Sequence, residues 1–259
     1  MKITIKDLLS FMRFRICLLI TFIAISSYFL FGSPELNVFY VFFTVFFVTT
    51  GTYSFNNMTD SDEDVVNRKK INPLVLNKSV GYILVAVFFA TSISFAFLLS
   101  PYAVALCILE MFLGLVYSLF RLKRYFLVKN FYTGFGLSLV FLTGMTQFPL
   151  SSFIFYFSMS FFIFIGSAIS DLRDYSGDMK AEIKTMPVSL GYDKTRTILA
   201  VLLVLFAMVS LQVLYLTVLF PFAMFMLYYI WKNRPRKAHS FILWSFVFLA
   251  FWSFALAFV

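Results

Sequence analysis

The chain has 259 residues, 61% of them hydrophobic, and a mean hydropathy of +0.91. Soluble domains hold about 45–50% apolar residues, so the composition excludes a water-soluble globular protein and points to one embedded in lipid. The net charge of +9, from 21 Lys and Arg against 12 Asp and Glu, needs no nucleic acid to explain it once the positions of the basic residues are read.

In chain order, Met1 to Phe14 sets Lys2 and Lys6 among Ile3, Ile5, Leu8, Leu9 and Phe11, the pattern of a helix lying in the membrane interface. Nine apolar segments follow, at 16–32, 37–55, 80–99, 101–119, 131–147, 150–170, 197–215, 217–231 and 240–258. A spanning helix needs about 20 residues. The eighth segment is the shortest, and its boundary with the seventh falls near Leu216 to Pro221. None shows the alternating polar period of barrel strands. The expected fold is therefore an all-α integral membrane protein of about nine transmembrane helices, a single domain over residues 1–259. An alternative for the amino terminus is a secretory signal peptide cleaved near Ala24 to Ser26, which would remove half of the first span. Cys17 and Cys107 both fall within spans, so no disulfide framework or metal motif is readable.

Placed on nine spans, all 21 basic residues fall on one side. Lys2, Lys6, Arg13 and Arg15 precede the first span, and Arg68, Lys69, Lys70 and Lys78 follow the second. Arg121, Lys123, Arg124 and Lys129 follow the fourth; Arg173, Lys180, Lys184, Lys194 and Arg196 follow the sixth. Lys232, Arg234, Arg236 and Lys237 follow the eighth. The positive-inside rule then predicts a cytoplasmic amino terminus and an external carboxyl terminus. Anionic lipid adds to the attraction on that side. No protein partner is predicted.

Ten of the twelve acids lie on the same side, which topology does not require. Asn56, Asp60 and Asp64 recur every fourth residue after the second span, and residues four apart stack on one helix face. Asp174 and Asp178 repeat that step after the sixth span, with Asp171 one turn earlier. Asp60 and Asp174, like Asp64 and Asp178, are 114 residues apart, so the chain reads as two related halves. Carboxylates stacked at about 5 Å repel by about 3 kcal/mol per pair at an effective dielectric near 20. A hard divalent cation removes that cost, and oxygen-only donors suit Mg²⁺ held with substrate phosphate. Calcium or proton binding is the competing use of these residues, and a solvated loop balancing its own lysines is the plain one. Arg121, Lys123, Arg124, Lys129, Lys180 and Lys184 supply cations for a diphosphate on the same side.

These residues also carry a family resemblance. Asn56-x-x-x-Asp60-x-x-x-Asp64 resembles the first aspartate-rich motif of the UbiA superfamily of intramembrane prenyltransferases. The run "DLRDYSGDMKAEIKTMPVSLG", Asp171 to Gly191, resembles its second, and Tyr117 with Arg121, Lys123 and Arg124 resembles its Tyr-and-basic loop. The chain departs in having Asn72 directly before Pro73, where many members have Asn-Arg-Pro, and in the extra acid Asp171.

The resemblance implies that two pseudo-related halves surround a central cavity. It implies Mg²⁺ on Asn56, Asp60, Asp64, Asp174 and Asp178, with Asp171 as a further ligand, and Asp60, Asp64, Asp174 and Asp178 as the catalytic acids. Diphosphate contacts then fall to Asn56, Tyr117, Arg121, Lys123, Arg124, Lys180 and Lys184. The implied reaction moves a polyprenyl group from an allylic prenyl diphosphate to a lipophilic acceptor through a carbocation. Charge growing on a leaving group is what metal ions and Arg or Lys clamps stabilise. The acceptor is open among a quinone precursor, a prenylated glycerol phosphate and a carotenoid end. The second motif is closer to members making archaeal ether lipids or chlorophyll-type products. The alternatives are a terpene cyclase on the same diphosphate site and a cation-coupled transporter. A transporter would hold its charges nearer the midplane.

Glu110 stands apart. It lies mid-span, where an unpaired carboxylate is costly, and precedes Tyr117 by seven residues, two helical turns, on the same face. It is expected to act on the acceptor or on developing positive charge, or else to join neighbouring helices by a hydrogen bond. Lone His239, beside Lys237, reads as an interface residue rather than a ligand.

Overall fold

A computed structural model describes residues 3–32, 37–61 and 71–258, and every regular element among them is helical. Helix α1 (Ile5–Phe11) is opened by a capping box in which Thr4 and Asp7 exchange side-chain and backbone hydrogen bonds. Then come α2 (Phe14–Phe31), α3 (Val38–Thr59), the short α4 (Pro73–Leu76), α5 (Lys78–Phe97), α6 (Pro101–Leu119) and the short α7 (Val128–Phe131). The chain continues through α8 (Leu150–Lys180), the short α9 (Met186–Leu190), α10 (Tyr192–Gln212), α11 (Phe220–Trp231) and α12 (Pro235–Leu256). Local chemistry marks the starts. Ser100 Oγ accepts from the Ala103 amide at 3.0 Å with Pro101 as first helical residue, and Asn37 Oδ1 accepts from Phe39 at 2.9 Å.

Among the described residues, eight helices are long and apolar enough to cross a membrane, counting Leu214–Trp231 as one. The fifth predicted span, 131–147, is the one that differs. It runs as the end of α7, a π-helical turn Tyr132–Gly136 and a 3₁₀ run Leu137–Gly144, and leaves helical conformation at Met145. Close packing accounts for its end: a Cβ on Gly144 would stand 2.6 Å from the Ala24 carbonyl oxygen, so only glycine lets this segment cross α2. Ser27 on α2 donates to the Phe141 carbonyl at 2.5 Å in the same crossing. The sixth span runs past its predicted end, and α8 carries Asp171, Asp174 and Asp178 as far as Lys180.

In the packed bundle α3 lies on α2, α5 and α6, α8 on the π-helical turn, and α12 on both α2 and α8. Contact of α12 with α2 closes the ring of helices. Outward faces carry Phe112, Phe251 and Val201, as lipid-facing surfaces do. Cys17 and Cys107 are buried and unbridged.

Candidate active site

The ring encloses a cavity of about 400 Å³. Its walls come from six elements: Arg13, Ile16 and Ile20 at the start of the first span, Thr52, Tyr53 and Asn56 on α3, and Tyr117 and Ser118 on α6. Lys129, Tyr132, Leu137 and Phe141 come from the irregular segment, Ile163, Ser167, Arg173 and Asp174 from α8, and His239, Ile242, Leu243 and Phe246 from α12. Charge gathers at one end and aliphatic and aromatic side chains fill the rest. Gly166 keeps α8 and α12 close there: an added Cβ would meet Ile242 Cδ1 at 1.8 Å.

Both acidic clusters reach that cavity. Asn56 sits in the last turn of α3 and Asp60 caps it, their side chains joined by an Nδ2–Oδ2 bond of 2.9 Å. Ser118 Oγ donates to Asn56 Oδ1 at 3.3 Å, and Lys123 pairs with Asp60 at 2.6 Å. Asp64 lies outside the described residues, as do Arg68, Lys69 and Lys70. From the second cluster, Asp174 lines the cavity and is gripped at both oxygens by Arg173, at 2.8 and 2.6 Å. Asp178 has one oxygen, Oδ2, buried without a hydrogen-bond partner; Thr185 stands nearby, outside hydrogen-bond geometry.

Asp171, expected among the metal ligands, is placed differently. It is fully buried, pairs with Lys129 through Oδ1, and accepts from Asn130 Nδ2 at Oδ2 over 2.9 Å. It does not line the cavity; it holds Lys129, which does.

Of the expected diphosphate contacts, Asn56, Tyr117 and Lys123 line the cavity, while Arg121 and Arg124 do not. Lys180 and Lys184 are exposed and off the cavity as well. Helical phase accounts for Lys180, since two residues beyond Asp178 a side chain points to the opposite face. Tyr117 is stacked on Tyr132 with ring centroids 4.2 Å apart and planes 15° from parallel. Glu110 is 1% exposed, neither of its oxygens has a partner, and it is not among the residues that line the cavity.

Three basic cavity residues were not singled out as site residues by sequence. Arg13, in a left-handed backbone conformation at φ 47° between α1 and α2, donates from Nε and Nη2 to Asn57 Oδ1 at 3.0 and 2.7 Å. Its guanidinium lies 5.4 Å from the centre of the Tyr53 ring. In sequence it looked like every other basic anchor. Arg173 carried the same plain reading. His239, read as an interface residue, lines the cavity instead, because α12 packs on α8 and turns that face inward.

Among the described residues no three His, Cys, Asp or Glu side chains are assembled as a ready metal cage. The donors present still suit a hard cation. They are all oxygens, Asn56, Asp60 and Asp174 face one cavity, and Asp178 Oδ2 is an orphaned buried carboxylate oxygen. Lys123 and Arg173 neutralise two of these acids here.

Three solved structures share this architecture. A UbiA homologue from Archaeoglobus fulgidus bound to DMAPP and Mg²⁺ superposes with a TM-score of 0.74 at 17% identity, covering 97% of this chain and 99% of that one. The apo structure of a UbiA homologue from Aeropyrum pernix K1 gives 0.77 at 16%, over 94% and 98%. A structure of digeranylgeranylglyceryl phosphate synthase in membranes gives 0.68 at 21%, over 98% and 96%. No curated protein matches the chain in sequence. The model of the UbiA prenyltransferase family matches residues 16–255, nearly the whole chain, with both acidic clusters and every cavity residue but Arg13 inside the match. The chain belongs to the UbiA prenyltransferase family.

Proposed function

We propose that this prenyltransferase moves a polyprenyl group from an allylic prenyl diphosphate to a lipophilic acceptor of the quinone-precursor or prenylated glycerol phosphate type, with Mg²⁺ at the diphosphate end. The observation that carries this reading is one cavity with two chemistries. Asn56, Asp60 and Asp174 stand among Arg13, Lys123 and Arg173 at one end, and Ile163, Ile242, Leu243 and Phe246 line the rest. The binding of DMAPP and of GPP with Mg²⁺ by homologues of the same fold supports it.

Asn56, Asp60, Asp174 and Asp178 are the described residues that would hold the cation, joined by Asp64. Bound there, Mg²⁺ supplies charge to the leaving diphosphate. Lys123 and Arg173, which rest on Asp60 and Asp174, are the cations placed to follow the diphosphate, and Arg13 offers a planar fork to phosphate oxygens. The apolar walls receive the isoprenoid and exclude water from the cation formed as the allylic C–O bond breaks. Tyr117 and Tyr132, stacked on each other, form one aromatic stretch of the same cavity wall. The one-sided distribution of Lys and Arg supports a cytoplasmic amino terminus, with the diphosphate end on that side.

The test is product analysis with purified protein, geranylgeranyl diphosphate and a panel of phenol and alcohol acceptors. Prenylated product is expected with Mg²⁺, lost on EDTA treatment and restored by added Mg²⁺. A cyclised hydrocarbon formed without any acceptor would replace this reading with a cyclase.

A further inference from the structure

Beneath the diphosphate end lies a group of polar atoms for which metal and phosphate have no use. Both carboxyl oxygens of Glu110, the Tyr132 hydroxyl and the Thr52 hydroxyl are buried without a hydrogen-bond partner. Leaving such a group unsatisfied costs about 1–3 kcal/mol, more when it is charged, and the bilayer offers no water in compensation. Single hydroxyls on Thr44, Thr50, Ser160, Thr195 and Ser253 are buried unpartnered as well, but among the described residues Glu110 alone has both carboxyl oxygens in that state, and other buried side chains are satisfied. Ser92 donates to the Thr44 carbonyl at 2.7 Å, Tyr156 to the Phe135 carbonyl at 2.8 Å, and Asn130 to Asp171 at 2.9 Å.

The orphaned atoms belong together. Helix α6, which carries Glu110, packs on α3 and on the π-helical turn that begins at Tyr132. One turn on from Glu110, Gly114 admits Thr52, whose Cγ2 stands 2.5 Å from where a Cβ would be. Tyr132 and Thr52 line the cavity, and Glu110 lies within electrostatic reach of both Tyr132 and Tyr53. Stacking on Tyr117 fixes the Tyr132 ring. The titratable groups within electrostatic reach of Glu110 are Tyr53 from α3, Tyr132 from the π-helical turn, Tyr156 from α8 and Cys107 on α6 itself, the last held by Ser92 at 3.0 Å.

We propose that Tyr132 and Glu110 form the proton-accepting subsite of this cavity, and that the acceptor places a hydroxyl there. The proposal rests on the transfer reading above and gives the hydroxyl of its alcohol or phenol acceptor a place in the cavity. Tyr132 and Glu110 are not hydrogen-bonded to each other in this structure, so the subsite closes when an acceptor hydroxyl donates to Tyr132 Oη and Tyr132 turns to donate to Glu110. A hydrocarbon end satisfies none of these atoms. As the allylic C–O bond breaks, its electron pair leaves with the diphosphate. A lone pair of the acceptor oxygen forms the new bond to the allylic carbon. The proton from that oxygen passes to Tyr132, whose own proton passes to the Glu110 carboxylate. Tyr132 is the catalytic residue in this step, and Glu110 is a positioning residue that acts through it.

The experiment compares wild type, Glu110→Gln, Glu110→Asp and Tyr132→Phe in bicelles with geranylgeranyl diphosphate and Mg²⁺. The acceptor probes are a geranylgeranylated glycerol phosphate and a 4-hydroxybenzoate. Glu110→Gln and Tyr132→Phe are expected to lower kcat for transfer by about 100-fold or more, with KM for geranylgeranyl diphosphate within about two-fold of wild type. Glu110→Asp recovers part of the loss. In wild type, transfer falls as the pH drops and Glu110 takes up its proton, and Glu110→Gln lacks that acidic limb. A Gln variant that transfers at the wild-type rate with the wild-type pH profile overturns the proposal. So does a loss of kcat accompanied by loss of prenyl diphosphate binding and a lower melting point in both Gln and Phe variants, which marks the cluster as structural. Wild type that transfers to neither probe nor any other hydroxyl, yet consumes prenyl diphosphate, rejects the transfer reading itself.

Discussion

Replacing Lys129 by Met removes the cation from a fully buried carboxylate while keeping most of the side-chain stem. Asp171 is 0% exposed and is held by Lys129 at Oδ1 and by Asn130, itself tied to Ser167 at 3.1 Å, at Oδ2. Without Lys129, a full charge is left with one neutral hydrogen bond. Breaking a buried pair in this way costs about 3–5 kcal/mol. The opposite deletion, Asp171→Asn, is milder. Lys129 is 25% exposed and can turn its ammonium into the cavity, so a cost of about 1 kcal/mol is expected, that of one ordinary hydrogen bond. The double variant should be more stable than Lys129→Met alone, a coupling of about 2 kcal/mol or more. Equilibrium denaturation of the four proteins in bicelles, followed by Trp fluorescence, measures the cycle. Equal destabilisation by the two single variants with no coupling would refute the buried pair. If, in addition, Asp171→Asn removed Mg²⁺ binding, Asp171 would stand as the metal ligand that its sequence position suggested.

Arg13→Lys keeps the charge but not the fork that holds Asn57 at 3.0 and 2.7 Å. It should raise KM for prenyl diphosphate roughly ten-fold, the loss of about one charge-assisted contact, and steady-state kinetics with an unchanged KM would remove Arg13 from the site. Cysteines introduced at Ser176 and Arg236, with Cys17 and Cys107 replaced by Ala, should label only from the cytoplasmic side, and external labelling at either would reverse the topology.

The spans were legible because lipid leaves a helix no alternative and the apolar runs are long. Residues 131–147 read the same way, yet Gly134, Gly136 and Gly144 there permit the π and 3₁₀ turns, which depend on how closely α2 and α8 approach. Asn56, Asp60 and Asp174 were legible as cavity residues because polar side chains four residues apart at a membrane boundary share one helix face, and that face meets the cavity. Lys180 and Lys184 shared the charge of that cluster, but Lys180 ends α8 on another face and Lys184 lies past the helix in irregular chain. Arg13 and His239 could not be told from topology anchors. Arg13 reaches the cavity through a backbone kink, and His239 through the docking of α12 on α8. Both follow from tertiary structure, for which the local pattern carries no signal. Asp171 has the spacing of a metal ligand, but its face of α8 turns inward to Lys129 and Asn130, a partnership the local pattern does not show.

The central claim is that Asn56, Asp60 and Asp174 gather a diphosphate through a divalent cation at one end of an apolar cavity. Binding of a non-reactive geranylgeranyl thiodiphosphate, measured by calorimetry on wild type, Asp60→Ala and Asp174→Ala with and without Mg²⁺, tests it without knowledge of the acceptor. Wild type should bind only with Mg²⁺, and each variant should lose that Mg²⁺-dependent binding while melting within a few degrees of wild type. Binding of equal strength in all three proteins, indifferent to Mg²⁺, would contradict it.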